Sequence, residues 1–443
     1  MKFRVERDAL GEAVSFVARA LPTRPVIPVL SGLMVEADDD QLTLSCFDYE
    51  ISARVTVPAD VGETGTVLVP GRLLAEITKS LPHAEVEVST ASGMVTLNCG
   101  TAEFALVALP LDEYPEIPPL PAVAGIADGH ALATAAAQVV PSASRDDTLP
   151  MLTGVCLDFD GHELTLAATD RYRLAAATLP WEPAHENVRA SALVPARMLA
   201  DVARSMSPGG PVTIALGQSG EDGTKPADGM ISFEGGGRRL TARLIGTEFI
   251  RYKSRFPAGF EATAELAAAP FIEAVRRVSL VADRLTPVQL EFRRGGVVIE
   301  ARSSGRARAI ESLPARFDGT EHMISFNPQY LLDGITAAAL SGHGRPAGSA
   351  DSDGLPDPAA GRIRLQFSSP AKPALISWID GDATASEDAN EPVRVKTAQP
   401  VGNGDASDAD GPTVRSAARD RQPPPSAAAF RYLVVPLRVP VAG

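Results

Sequence analysis

One short stretch of the sequence gathers residue types that could do chemistry. Residues 164–176 read LTLAATDRYRLAA, and positions 169–173 place hydroxyl, carboxylate, guanidinium and phenol groups together at the end of an apolar run. Such a set could hold a ligand by hydrogen bonds and charge, or it could be the turn of one copy of a repeat. A related stretch, LTLSCFDYEISAR, occurs at residues 42–54. This recurrence indicates that the stretch belongs to a repeat along the chain.

Recognisable catalytic motifs are missing from the sequence. It contains no GxxxxGK[ST] phosphate loop, no GxSxG nucleophile elbow and no HExxH zinc motif, and its six histidines lie far apart. Cys46, Cys99 and Cys156 are scattered in apolar runs, which predicts buried reduced thiols and not a zinc site or a disulfide framework. The glycines at 235–237 lie between two strand-like runs and predict a hairpin turn. We expect no enzyme activity, no metal and no cofactor.

Length and charge limit the possible classes. A chain of 443 residues predicts two to four domains. The net charge of −14 argues against a protein that coats nucleic acid or anionic lipid with its whole surface, although a local basic face stays possible. The N-terminus lacks the apolar core of a signal peptide, and no apolar run is long enough to span a bilayer. A cytoplasmic protein without a membrane partner is expected.

Three copies of one pattern run along the chain. Residues 28–48 and 150–170 align without a gap and share Pro, Leu, Gly and Asp positions, including Asp48 and Asp170. Residues 287–305 keep the apolar alternation but lack the Gly and Asp. Period-2 alternation on both sides of a short polar turn predicts a β-hairpin in each copy.

Helical patterns flank each hairpin. VPGRLLAEI, VPARMLADV and NPQYLLDGI each begin with a residue pair ending in Pro and continue with apolar residues at helical spacing, such as Leu73, Ile77 and Leu81. An earlier helix is predicted before each hairpin, the first with Leu10, Val14, Val17 and Leu21 on one stripe. Each repeat then holds two helices and two small antiparallel sheets.

The repeats predict three domains, at 1–121, 126–258 and 262–443. Within the third, residues 341–361 and 381–428 lack apolar periodicity and contain eleven acidic and six basic residues. Segments so poor in core-forming residues are predicted to be disordered insertions between strands.

These features resemble the bacterial sliding clamp, the β subunit of DNA polymerase III. The resemblance covers the chain apart from the two insertions and rests on MKFRVERDAL, RPVIPVLSGL, VPGRLLAEI, ATDRYRLA and YLVVPLRV, in that order. It implies an α+β fold in which three clamp domains per chain close as a head-to-tail dimeric ring around duplex DNA. It also implies a non-catalytic processivity factor, in the cytoplasm on the nucleoid.

The resemblance implies a peptide-binding pocket between the second and third domains. Its ligands would be linear motifs of the replicative polymerase α subunit, the clamp loader and repair polymerases. Apolar walls with arginine and backbone groups at the rim suit such a groove. Asp170 is better read as a turn former, because Asp48 repeats it in a domain where the family binds no peptide. The residues carried over to the pocket are Leu152, Thr169, Arg171, Tyr172, Arg173, Leu174, Ile250, Asn327, Tyr330, Pro373, Leu433, Val434, Val435, Pro436, Leu437 and Arg438.

Cations in and near the helical segments are the candidates for DNA contact. On an inner surface they would attract phosphates without sequence preference and still allow sliding. An ordinary solvated helix face carries similar charges, so the two interpretations compete. The DNA-binding candidates are Arg24, Arg72, Lys79, Arg197, Arg204, Arg276 and Arg277.

Two alternatives remain open from the sequence. Ile250 stands where the family usually has proline, and PVAG extends the C-terminus beside the pocket; a specialised duplicate clamp with a retuned pocket, resistant to a clamp-binding peptide inhibitor, would fit. A repeat-built protein-interaction scaffold that does not act on DNA is the alternative of another class. Retention on closed circular DNA that is lost on linearisation would separate a ring from that scaffold.

Overall fold

A computed structural model describes most of the chain. The described residues are 1–186, 188–206, 210–217, 229–283, 286–303, 306–342, 361–379 and 429–437. Residues 343–360 of the first predicted insertion, all of 381–428, Arg438 and the PVAG extension lie outside them.

The first repeat contains two long helices, α1 and α2, and nine strands. The helices are α1 (Arg7–Ala18) and α2 (Gly71–Ser80). The strands are β1 (Lys2–Val5), β2 (Gly32–Asp38), β3 (Gln41–Phe47), β4 (Ile51–Pro58), β5 (Asp60–Glu63), β6 (Gly65–Pro70), β7 (Val86–Ala91), β8 (Met94–Cys99) and β9 (Ala102–Val107).

The second repeat has the same order without a counterpart of β5, and its short helix α4 lies where the first repeat has a 3-10 turn, Pro28–Ser31. Its helices are α3 (Gly129–Val139), α4 (Pro150–Thr153) and α5 (Ala196–Met206). Its strands are β10 (Val123–Asp128), β11 (Gly154–Asp160), β12 (Glu163–Thr169), β13 (Arg173–Pro183), β14 (Arg189–Pro195), β15 (Pro211–Leu216), β16 (Met230–Gly235) and β17 (Arg238–Arg243).

The third repeat again places one helix before the first hairpin and one after it. The helices are α6 (Ala268–Ser279) and α7 (Pro328–Ala339). The strands are β18 (Ala262–Ala267), β19 (Val288–Arg293), β20 (Gly296–Arg302), β21 (Arg308–Pro314), β22 (Arg316–Asp318), β23 (His322–Phe326), β24 (Arg362–Phe367), β25 (Ala374–Ile379) and β26 (Ala429–Val434).

The predicted hairpins and helices are confirmed. The pairs β2–β3, β11–β12 and β19–β20 are antiparallel, and in each repeat the two long helices pack against each other. In α1 the stripe Leu10, Val14 and Val17 is buried because residues at i, i+4 and i+7 share one face of a helix. The α+β class predicted from the repeats follows from this arrangement.

The prediction of burial was wrong for one apolar residue of the first repeat. Leu73 was expected on the buried stripe of α2, but its side chain is 47% exposed, whereas Leu74 is buried beside Ile77 and Leu81. Two consecutive leucines leave the phase of a short helix undecided from sequence. Ile77 does not decide between them, since it lies three residues after Leu74 and four after Leu73 and fits both phases.

Two strand pairings join the repeats into a continuous sheet. Strand β17 pairs with β4, which links the second repeat to the first, and β26 pairs with β13, which links the third to the second. Helices also meet across these junctions, because the Gln138 amide of α3 donates to the Ala337 carbonyl of α7 at 3.1 Å. The three repeats therefore form one arc with helices on one side of the sheets.

Candidate functional site

The 169–173 stretch forms the turn between β12 and β13. The Asp170 carboxylate accepts the backbone N–H groups of Tyr172 and Arg173, each at 3.0 Å. Asp48 accepts the N–H groups at positions 50 and 51, at 3.0 and 2.7 Å, in the first repeat. The same carboxylate closes the same turn in both repeats. The interpretation of Asp170 as a turn former is confirmed.

Thr169 is also committed to this turn. Its buried hydroxyl accepts the Arg171 N–H at 3.1 Å and donates to the Arg173 carbonyl at 2.5 Å. Arg171 takes a φ of 80° and Tyr49, at the matching place in the first repeat, a φ of 74°. The turn thus holds a left-handed residue without glycine, and its polar atoms stabilise that shape.

Arg173 joins three parts of the chain. Its Nε donates to Asp170 at 2.9 Å, and its two terminal nitrogens donate to the Asp333 carboxylate on α7 and to the Pro141 carbonyl after α3. Its guanidinium carbon lies 4.5 Å from the centre of the Tyr330 ring. Burial works against the charged guanidinium, but the surrounding oxygen atoms raise its pKa. Arg173 therefore fastens the second repeat to α7 of the third.

Two tyrosines stack across the same junction. The rings of Tyr172 and Tyr330 are 6.2 Å apart and 24° from parallel. Tyr172 is 53% exposed, whereas burial raises the pKa of Tyr330. The Tyr172 carbonyl accepts the Val435 N–H at 2.9 Å, and the Tyr432 hydroxyl donates to the Tyr330 carbonyl at 2.8 Å. An aromatic surface is thereby held at the edge of the junction.

An apolar cluster lies next to this aromatic pair and apart from the main core. Its neighbours in sequence Ala175 and Ile376 belong to the main core, so the cluster occupies the opposite face of the sheet from the helices. Its buried members are Cys156, Ala167, Leu174, Ala176, Leu193, Tyr252, Leu375 and Leu433. Its partly buried members are Met151, Ile245, Phe249, Ile250, Phe256 and Phe260. We call this set the apolar cluster.

The C-terminal residues divide between the core and the surface. Leu433 belongs to the apolar cluster, while Val434 is fully buried in the main core because strand residues alternate between faces. Val435 and Leu437 are 37% and 40% exposed, and Pro436 lies between them. The Leu437 N–H donates to the Ser325 carbonyl at 2.7 Å. Among the pocket candidates at this end of the described chain, only the residues beyond the strand are exposed to solvent.

Other residues assigned to the pocket lie around the same junction. Asn327 caps α7, since its side-chain oxygen accepts the N–H groups of Gln329 and Tyr330. Leu152 is buried at the end of α4, with 5% of its surface exposed. Pro373 lies in the loop before β25 and lines a surface groove together with Phe256 and Phe260. The structure thus brings the described pocket candidates to one junction.

A large groove opens beside the apolar cluster. Its volume is about 1530 Å³, and it runs from the Tyr172–Tyr330 pair past Ile245 to Arg243 at the first junction. Arg171 and Arg145 line it, as do the carboxylates of Asp146 and Asp147. An extended peptide could lie here with an apolar side chain in the cluster and polar groups at the rim.

The helix cations differ in how they are engaged. Arg204 donates to Asp201, Arg276 to Glu273, and Arg277 to Glu311 at 2.6 Å. Arg72 donates to the Leu21 and Pro22 carbonyls. Among the described residues, no hydrogen bond or ion pair engages the exposed side chains of Arg24, Lys79 or Arg197. Within the described ranges, these three candidates are the ones whose side chains stay available to another ligand.

Free sheet edges remain at the two ends of the arc. In the described part of the chain β9 pairs only with β8, and β21 only with β20. By position in the repeat, β9 corresponds to β17 and β26, and β21 to β4 and β13. Those corresponding strands pair with each other inside the chain. The end strands are thus complementary edges of the same kind, with Ile310 exposed on β21 and Leu280 exposed at the end of α6.

The described ranges also bear on metal binding, membrane-spanning helices and reactive thiols. These ranges contain no group of three or more His, Cys, Asp or Glu residues that could hold a metal ion. None of their helices is long and apolar enough to cross a membrane. Cys46, Cys99 and Cys156 are buried free thiols, as predicted, and burial raises the pKa of Cys46 to about 12 and of Cys156 to about 11. These thiols are not poised for nucleophilic chemistry.

Sequence reasoning missed several residues of this site. Leu375, Phe256 and Phe260 belong to the apolar cluster, and Asp333 holds Arg173. Alternation alone shows that Leu375 faces one side of β25. It does not show that Leu433 faces the same side, because that depends on how β25 pairs with β26. Asp333 has no counterpart in the other two copies of the helix pattern, which carry alanine at that position. Repetition therefore gave no signal for it.

Three family models match consecutive parts of the chain. They are the N-terminal, central and C-terminal domains of the DNA polymerase III beta subunit, at residues 1–118, 127–250 and 253–341. The fold prediction of three clamp domains agrees with these matches.

Individual relatives point the same way. The chain is 46% identical over 388 residues to the beta sliding clamp of Streptomyces coelicolor, covering 87% of this chain and 96% of the relative. It is 44% identical to the beta sliding clamp homolog GriR of Streptomyces muensis, covering 76% and 88%. A sliding clamp of Pseudomonas aeruginosa bound to griselimycin shares the fold, with a TM-score of 0.74 at 22% identity over 99% of this chain and 100% of that one.

Proposed function

The chain belongs to the DNA polymerase III beta subunit family, and we propose that the junction between its second and third domains captures the linear motifs of its partners. The protein is a DNA sliding clamp, a non-catalytic subunit that forms a ring-shaped homodimer, encircles duplex DNA and tethers replication proteins. The work of these residues is therefore binding, and the polymerase chemistry belongs to a partner.

The apolar cluster carries the proposal for the pocket. Leu174, Leu375 and Leu433 meet across β13, β26 and β25 on the sheet face away from the helices. Exposed Tyr172, Val435 and neighbouring backbone groups surround this patch. A short peptide gains affinity by placing apolar side chains on such a surface while its backbone bonds to the rim. The roles carried over to Leu152, Ile250, Pro373 and Arg438 remain part of this proposal.

Some polar side chains of the proposed pocket already form hydrogen bonds within the protein, so fewer residues are expected to contact the peptide. The hydrogen bonds of Thr169 lie within the turn and those of Asn327 cap α7. Arg173 donates to Asp333 on α7. We assign Thr169, Asn327 and Arg173 the task of shaping the pocket. Direct peptide contact falls to Tyr172, Arg171, Val435, Leu437 and the apolar cluster.

A calorimetric titration tests the pocket. A linear clamp-binding peptide from a polymerase α subunit is titrated into the full-length dimer and into the Tyr172→Ala variant. We expect saturable binding that weakens at least tenfold in the variant. Tyr49→Ala is the matched control, since Tyr49 is 46% exposed at the corresponding turn of the first domain. Equal loss in both variants, or none in either, would contradict this placement.

Ring closure is proposed to use the free edges of β9 and β21. A heterologous contact that closes produces a ring, and two chains of three domains make six units. The pairing inside the chain supplies the geometry, because Thr241 lies opposite Ser52 and Leu433 opposite Leu174. Counted from the same hairpin ends, Ala105 would lie opposite Arg308 of the partner subunit.

DNA contact is proposed for the free helix-side cations. Arg24, Lys79 and Arg197 would touch phosphates, and Arg72, which donates to two backbone carbonyls, would add to the positive potential. Arg204, Arg276 and Arg277 would have to exchange a carboxylate partner for a phosphate. Work on chromosomal DNA would place the protein in the cytoplasm, on the nucleoid.

A specialised clamp is not needed to explain the comparisons. The chain is 46% identical to the Streptomyces coelicolor clamp and 44% identical to the homolog GriR, so its similarity to the two relatives is nearly equal. Ile250 lies in the apolar cluster, and peptide titration of an Ile250→Pro variant would measure how far this residue tunes the pocket.

A further inference from the structure

The two junctions inside the chain are built on one plan. In both, a strand that follows the Asp-closed turn pairs with the last strand of the next domain: β4 with β17, and β13 with β26. Ser52 and Leu174 each lie four residues after the turn aspartate. Ser52 lies opposite Thr241, and Leu174 opposite Leu433. The two junctions can therefore be compared residue by residue.

A third strand adds a matching position at each junction. Ser232 lies opposite Thr241 on β16, as Leu375 lies opposite Leu433 on β25. Each junction thus has three matching side chains on three adjacent strands. We call Leu174, Leu375 and Leu433 the leucine trio, and Ser52, Ser232 and Thr241 the hydroxyl trio.

The two trios differ in chemistry. The leucine trio is buried within the apolar cluster. In the hydroxyl trio, Ser232 and Thr241 are equally buried, but the Thr241 hydroxyl donates to the Ser232 hydroxyl at 2.9 Å. An apolar peptide side chain placed there would meet short hydroxyl side chains in place of leucine side chains, and would therefore gain little apolar contact.

The surroundings of the hydroxyl trio are also polar. Arg54 and Arg239 face each other across β4 and β17, where the second junction has Ala176 and Arg431. Glu50 occupies the position of Tyr172. Charged rims around a hydroxyl floor do not resemble an apolar groove.

The junction between protomers has a third set of residues at these positions. By the same counting, they are Thr96 and Ala105 of one protomer together with Arg308 of the partner subunit. A cation and two small or polar residues offer no apolar floor. Of three similar junctions per protomer, only one has leucine at all three positions.

We propose that these three positions decide which junction of the ring captures a peptide, with the leucine trio as the specificity determinant. The inference rests on the proposed pocket and adds that the backbone plan is shared by all junctions. The hydroxyl and arginine-containing sets keep the other junctions closed to apolar motifs, so each protomer binds one peptide.

Exchange of the trios tests the proposal. The first variant carries the hydroxyl set at the second junction: Leu174→Ser, Leu375→Ser and Leu433→Thr. We expect at least a 100-fold loss of affinity for the clamp-binding peptide, with dimerisation and the circular dichroism spectrum unchanged. Should the triple variant misfold, Leu375→Ser alone serves, with an expected loss of at least tenfold. Binding within threefold of the native protein would overturn the proposal.

The second variant tests sufficiency. Ser52→Leu, Ser232→Leu and Thr241→Leu install the leucine trio at the first junction, with Glu50→Tyr to supply the aromatic rim. We expect the calorimetric stoichiometry to rise from one to two peptides per protomer. A folded dimer that still binds one peptide would overturn the claim that these positions decide.

Location is read by fluorine NMR of protein that contains fluorotyrosine. Tyr49 and Tyr172 report on the two turns and are assigned by Tyr→Phe variants. Of these two signals, peptide should shift only that of Tyr172 in the native protein and both in the gain variant. Native protein that binds no peptide at all would refute the proposed pocket itself, an outcome distinct from failure of the exchange.

Discussion

The guanidinium of Arg173 lies 4.5 Å from the centre of the Tyr330 ring while it donates to Asp333 one helical turn further along α7. One side chain of the second domain therefore holds both the aromatic wall of the pocket and the helix that carries it. The pocket depends on this junction as much as on the side chains that would touch a peptide.

Removal of the Arg173 charge should weaken the junction. In Arg173→Gln, the carboxylates of Asp170 and Asp333 lose their main cation. We expect the apparent free energy of unfolding to fall by about 2 to 4 kcal/mol, because a largely buried ion pair is broken on one side only. Urea unfolding followed by tyrosine fluorescence measures it.

Arg189→Gln is the matched control for that measurement. Arg189 pairs with Asp160 at 3.1 Å, but their side chains are 83% and 55% exposed. An exposed pair contributes little, so a change within about 0.5 kcal/mol is expected. A similar loss in both variants would argue that Arg173 is an ordinary surface charge.

Acid should destabilise the third domain through Glu300. Hydrogen bonds from Arg308 and Arg302 lower the pKa of Glu300 to about 2. A carboxylate whose pKa is lower in the folded state stabilises the fold above its unfolded pKa, and this contribution is lost as the pH falls from about 4.5 towards 2. In Glu300→Gln, the free energy of unfolding lost as the pH falls over this range should therefore be smaller by about 1 kcal/mol.

Thermal melts of native protein and variant between pH 5 and pH 2 measure that effect. Glu291→Gln serves as control, because Glu291 pairs with Arg293 in an exposed position on β19. An acid limb that is equally steep in native protein and Glu300→Gln would show that the Glu300 ion pairs do not contribute.

The register of ring closure can be tested by a disulfide. Ala105→Cys with Arg308→Cys should cross-link two protomers under oxidation, since directly opposite residues of paired strands lie within reach of a disulfide. The native thiols Cys46, Cys99 and Cys156 are buried and should not interfere. Ala105→Cys with Leu313→Cys is the out-of-register control. A non-reducing gel measures the cross-linked dimer, and equal cross-linking in both pairs would contradict the predicted register.

Neutralisation of the free cations should reduce the salt dependence of DNA binding. Each phosphate that the protein ceases to neutralise lowers the slope of log K against log salt by about 0.9. We expect the combined Arg24→Gln, Lys79→Gln and Arg197→Gln variant to show a slope smaller by about 2 to 3 in fluorescence anisotropy with duplex DNA. Arg293→Gln, which removes a paired cation from a hairpin, should leave the slope unchanged.

Part of this architecture could be predicted from the sequence. The stripe of Leu10, Val14 and Val17 and the alternating hairpins predicted the elements because burial follows their periods. Asp170 was interpretable because Asp48 repeats it. The phase of α2 was not, since adjacent Leu73 and Leu74 fit two faces.

The pocket was less accessible to sequence reasoning. The resemblance placed Leu174, Leu433 and Tyr172 near one junction, but it could not show that Val434 faces the main core or that Arg173 is occupied by Asp333. Those facts depend on strand pairing between domains that lie far apart in sequence. Leu375 was missed for the same reason.

The most direct test of the ring is topological. The Ala105→Cys, Arg308→Cys protein is mixed with nicked circular DNA under reducing conditions, oxidised to close the ring, and washed at high salt. A sliding clamp should stay with the circle during gel filtration and be released once a restriction enzyme linearises the DNA. Protein that is washed off the circle, or that stays bound after linearisation, would contradict an encircling ring.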